Sequence, residues 1–143
     1  MSEIDDIYTS IIMEHSANST NRHELECENC SLHGHNPNCG DDITLHIDFD
    51  NGKIKDMSFT GSGCAISQSS TSIMIDVLRG KTVDEAKKIV KIFIDMIDRK
   101  EISKEDRQLL KDSIAFSNIA NMPARVKCAL LSWKTLQQKL NEM

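Results

Sequence analysis

Apolar residues recur at helical spacing near the start of the chain. Ile4, Ile7, Tyr8, Ile11 and Ile12 share one stripe and predict an amphipathic helix over residues 3–15. Asn18 to Arg22 is polar and reads as a loop. The period then changes. Ile43-Thr-Leu45-His-Ile47-Asp-Phe49 alternates apolar and polar side chains, the pattern of a half-buried strand. Asp50-Asn51-Gly52-Lys53 follows, and Asn-Gly is a strong hairpin signal because both residues tolerate positive φ. The return strand, Lys53 to Thr60, carries Ile54 out of phase with Met57 and Phe59, which predicts a bulge or an early strand end.

Helical spacing returns after Gly63-Cys64, where a Ser-rich stretch places Ile66, Ser70, Ile73, Met74 and Val77 on one side and stops at Gly80. Thr82-Val-Asp-Glu85 is a capping box that opens a helix with Ala86, Ile89, Val90, Phe93 and Ile97 inward. Ser103 is a candidate cap for a helix around Leu109, Leu110 and Ile114. Asn121 and Pro123 start the last helix, with a stripe of Val126, Ala129, Leu130, Trp133, Leu136 and Leu140. Helix, hairpin-containing sheet, then several helices predicts an α+β fold: a single compact domain over residues 1–143, its small antiparallel sheet packed by helices.

Composition narrows the class. The 143 residues are 39% hydrophobic and 27% charged, as expected for a soluble globular protein with a core of its own. The net charge of −5, with Lys and Arg spread along the chain, argues against nucleic acid as a partner. No apolar run approaches the roughly 18–20 residues a membrane span needs. The opening Met-Ser-Glu-Ile-Asp-Asp lacks the basic and apolar regions of a secretory signal. Five cysteines is an odd count in a chain too large to need disulfide staples, which points to a reducing, cytoplasmic setting with thiols available for metal or chemistry.

Three of those cysteines sit where a loop meets a regular element: Asn36-Pro-Asn-Cys39-Gly-Asp41, Gly61-Ser-Gly63-Cys64-Ala-Ile-Ser67 and Pro123-Ala-Arg125-Val-Lys127-Cys128. With Asp41, two residues beyond Cys39, they form a set of three soft sulfurs and one hard oxygen, suited to tetrahedral zinc or to an iron–sulfur unit. Cys64 precedes a helix start, where free N–H groups and the helix dipole favour a thiolate, and its flanking glycines keep the sulfur reachable. Arg125 lies three residues before Cys128, on the same side of the helix, where a guanidinium can stabilise a thiolate or a bound anion. Plain readings stand beside these. Cys128 also fits as a small core residue, Asp41 as a turn residue or cap, and Arg125 as a solvated helix residue. Spacing alone does not show that the segments meet.

The motifs together resemble the IscU/SufU family of iron–sulfur cluster assembly proteins through most of the chain. Ile7-Tyr8 with Ile12-Met-Glu-His15 resembles the family's opening helix. The segments around Cys39, Cys64 and Met122-Pro-Ala-Arg125-Val-Lys127-Cys128-Ala-Leu-Leu-Ser-Trp133 resemble its three site loops in order. Lys127 stands where IscU-type members carry a histidine, and the long separation of Cys64 from Cys128 leaves room for an extra segment; both features favour the SufU branch. The resemblance implies zinc held by Cys39, Asp41, Cys64 and Cys128, with Arg125 nearby. It also implies a pyridoxal-phosphate cysteine desulfurase of the SufS type as sulfur donor and downstream iron–sulfur assembly proteins as recipients. Cys39 is the sulfur acceptor on this reading. The alternative on the same residues is a scaffold holding a [2Fe–2S] cluster.

Cys27-Glu-Asn-Cys30, followed by His33 and His35, departs from the family pattern. It suits a second metal clip or a thiol redox pair, which gives a rival reading of the protein as a CxxC redox protein. It falls where the family has its first strand, and an extended segment would turn Cys27 and Cys30 to opposite sides.

Overall fold

Asn51 and Gly52, both with positive φ (53° and 76°), close a tight turn between two long antiparallel strands, as the Asn-Gly signal predicts. These and all later details come from a computed structural model that describes residues 3–17, 20–26, 29–37 and 40–143. Helix α1 spans Glu3–Ala17. Strands β1 (Cys30–Asn36), β2 (Asp41–Asp50) and β3 (Lys53–Ser62) form an antiparallel sheet in the order β1-β2-β3. Helices α2 (Ala65–Leu78), α3 (Val83–Ile97), α4 (Lys104–Leu110) and α5 (Pro123–Leu140) follow, with a 3-10 helix, Lys111–Asn121, between the last two. The fold is α+β.

The phase break in the return strand is a bulge. Asp48 pairs with Asp56 but Phe49 with Ile54, so Lys55 is the extra residue and both Ile54 and Met57 turn inward. Two elements differ from the sequence pattern. Residues around Ser103 to Ile114 do not form one helix, because Lys111 adopts φ 49° and the tighter 3-10 geometry takes over. Strand β1, which no apolar run marks in the sequence, alternates all the same: Cys30, Leu32, Gly34 and Asn36 turn inward, and of these Gly34 and Asn36 are the buried ones.

The helices cover one face of the sheet. Helix α5 lies against β1, and α2 against β3. Inward residues Ile43, Leu45, Ile47, Met57 and Phe59 meet Ile73, Met74, Val90, Phe93, Phe116, Trp133 and Leu136 in a continuous core. The Ser-rich helix α2 is unusual in that its serines are buried. Ser70 Oγ donates to Ala129 O (2.7 Å) and accepts from Trp133 Nε1 (2.9 Å), tying α2 to α5. Trp133 in turn stacks on Phe93 of α3, with centroids 3.8 Å apart. Among the described residues no helix is long and apolar enough to cross a membrane.

Candidate metal centre

Three elements distant in sequence converge at one end of the sheet. The first residue of β2, Asp41, points inward and is fully buried. Cys64 is the N-cap of α2, its sulfur accepting a hydrogen bond from Ser67 N at 3.4 Å. Cys128 sits in the second turn of α5, 1% exposed. One ligand atom from each of Asp41, Cys64 and Cys128 lies within 4.8 Å of the other two.

The Asp41 carboxylate is half satisfied. Its Oδ1 accepts from Cys64 N (3.0 Å) and from Ser67 Oγ (2.9 Å). Its Oδ2 is buried with no hydrogen-bond partner. An unmatched buried carboxylate oxygen is costly, and a cation is the partner that removes the cost. Two sulfurs beside it select a borderline-soft divalent ion over a hard one, so the residues present fit zinc. Gly63 makes this arrangement possible: a Cβ there would sit on Ser67 Oγ and 2.8 Å from Asp41 Oδ1. Behind the loop, Gln68 Nε2 donates to Gly63 O at 2.6 Å, and Arg22 donates to Gln68 Oε1.

The structure thus brings together Asp41, Cys64 and Cys128 of the expected four donors. Cys39 lies outside the described residues, as does Cys27. Arg125 is exposed on the first turn of α5, one turn before Cys128. Lys127, also exposed, borders a cleft of about 310 Å³ between β1 and α5. Cys30 begins β1 and packs against the core, whereas His33 and His35 project from the opposite face. Sequence reasoning missed Asn21. It sits in the stretch read as a polar loop, yet it is buried and its Nδ2 donates to Ser72 O, Ser72 Oγ and Asp76 Oδ1.

Residues 7–129 match the family described as "NifU-like N terminal domain". The zinc-dependent sulfurtransferase SufU of Bacillus subtilis (strain 168) is 38% identical over 135 residues, 94% of this chain and 90% of that protein. The iron–sulfur cluster assembly scaffold protein IscU of Thermotoga maritima is 35% identical, covering 96% of this chain and 94% of the relative; that of Streptococcus pyogenes is 33% identical, covering 98% and 86%. The crystal structure of a SufU from Fervidobacterium islandicum AW-1, described as an iron–sulfur cluster assembly scaffold protein for the SUF system, superposes with a TM-score of 0.87 at 41% identity, covering 94% of this chain and 97% of the other.

Proposed function

Because the chain belongs to the NifU-like N-terminal domain family, whose relatives are named for iron–sulfur cluster assembly, we propose that it is a zinc-dependent sulfur acceptor. Acting as one domain over residues 1–143, it takes persulfide sulfur from a SufS-type cysteine desulfurase and passes it to downstream assembly proteins. The observation that carries this reading is the buried cluster of Asp41, Cys64 and Cys128 with its unmatched carboxylate oxygen. Held there, with Cys39 as fourth donor, zinc would keep the thiols deprotonated at neutral pH.

Cys39 carries the transfer. Its thiolate attacks the outer sulfur of the desulfurase persulfide, forming a new S–S bond at Cys39. The old S–S bond breaks, and its electron pair stays on the desulfurase cysteine. The proton on the outer sulfur travels with it, so no external oxidant or reductant is consumed. Arg125 supplies a fixed positive charge near the anionic sulfurs. Asp41 is the one hard donor among soft ones, positioned by the Cys64 N–H and the Ser67 hydroxyl.

A second reading keeps the same residues as the seat of a [2Fe–2S] cluster. The relatives named as IscU scaffolds support it, while Lys127 at the position of the IscU-type histidine speaks for sulfur transfer. Metal analysis separates the two. Protein purified without added metal is expected to hold about one zinc per chain, lost in Asp41→Ala and Cys128→Ser; iron with sulfide would instead support the scaffold. With its desulfurase and cysteine present, the protein should raise turnover, and Cys39→Ser should not. Full stimulation by Cys39→Ser would end the sulfur-acceptor assignment.

A further inference from the structure

We infer that the outer face of the sheet carries a second, weaker site for a borderline divalent cation such as zinc, built from His33, His35 and Asp42. The argument is independent of what the buried cluster holds. His33 and His35 alternate along β1 and are exposed, so both imidazoles project from the same face, about 7 Å apart at the backbone. On β2, Asp42 stands directly opposite His35. Directly opposed side chains start only about 5 Å apart. The three residues therefore start from neighbouring positions on one face of the sheet.

Two of the three side chains already meet. His33 Nε2 contacts Asp42 Oδ1. The rings of His33 and His35 lie 6.3 Å apart, tilted by only 12°. His33 and Asp42 expose 58% and 57% of their side chains, so neither is locked by packing, and the exposed His35, whose ring stands apart from this pair, has to swing towards it to complete the site. A His–Asp hydrogen bond alone accounts for His33 but gives no role to His35 on the same face. Two imidazoles and a carboxylate are donors suited to zinc, with the remaining positions open to water. Magnesium, which prefers oxygen, is a poor match.

Two features set the affinity below that of a buried thiolate site. The donors are solvent-exposed, and His35 also borders the cleft whose far wall carries Lys127 and Lys134, whose charges oppose a cation. Asp41 and Asp42 are neighbours on β2 that face opposite sides, one into the core and one outward. The strand thus presents a carboxylate to each of two metal sites.

Calorimetric titration of untagged protein, as purified, with Zn²⁺ tests this. The expected result is a saturable event of one ion per chain, absent with Mg²⁺. His33→Ala and His35→Ala should each weaken it roughly tenfold or more, and His23→Ala, at an exposed histidine elsewhere, should leave it unchanged. Circular dichroism confirms that the variants fold. Three outcomes overturn the proposal: no event beyond the resident metal, an event indifferent to both histidines, or one abolished by Cys27→Ser or Cys30→Ser while His33→Ala and His35→Ala leave it intact.

Discussion

Gly63 leaves the space that the Asp41 carboxylate fills. The segment around Cys64 suggests only an open backbone near a reactive sulfur. The second reason for the glycine becomes visible once Asp41 arrives from β2, since no local pattern reports a carboxylate brought in from another strand. The Gly63 backbone is not left-handed, so a side chain there fails by collision rather than by torsion. Gly63→Ala is expected to cost about 1–3 kcal/mol through overpacking. Urea unfolding of the metal-free protein checks this; an unchanged midpoint would show that the loop simply gives way. Asp41 and Cys64 stand out in the sequence because turn and cap positions mark themselves; Cys128, inside α5, is marked only by the motif around it. Asn21 does not stand out, because a buried amide looks like any loop residue until its partners on α2 are known.

Helix α3 shows how far local chemistry alone can specify an element. Thr82 Oγ1 accepts from Glu85 N (3.1 Å), and Glu85 Oε1 accepts from Thr82 N (3.2 Å), the reciprocal pair read from four residues of sequence. The Thr82 N–H, followed by the Thr82 side chain, holds the Glu85 carboxyl below its ordinary value of 4.5. A depressed carboxyl pKa contributes stability above the unfolded value, and that contribution fades as pH falls through the folded one. Wild type should therefore exceed Glu85→Gln in stability at pH 7, with the gap narrowing towards pH 3. Denaturant midpoints at both values decide it, and a gap as wide at pH 3 would contradict the ionic origin. Strand β1 lies at the other extreme. Cys-Ser-Leu-His-Gly-His-Asn places only Cys30 and Leu32 as apolar side chains at its inward positions, a weak signal, and it is a strand because β2 pairs with it and α5 packs across it.

Across the whole molecule, Ser70 is the joint that fixes α5 relative to α2. Its hydroxyl holds both Ala129 O, next to Cys128, and the indole of Trp133, which leans on Phe93. Ser70→Ala would leave the Trp133 N–H without this acceptor, at a cost of roughly 1–3 kcal/mol. The chain contains one tryptophan, so its emission reports this joint directly. An altered spectrum together with a lower unfolding midpoint is expected, and an unchanged pair of readings would place the joint elsewhere. The same geometry has a consequence in time. The donors come from positions 41, 64 and 128, so the cluster is complete only when most of the chain exists. At roughly 5–20 residues per second, synthesis adds Cys128 about 3–13 s after Cys64. During that interval Asp41 and Cys64 lack Cys128, and this three-residue cluster cannot assemble before α5 is made.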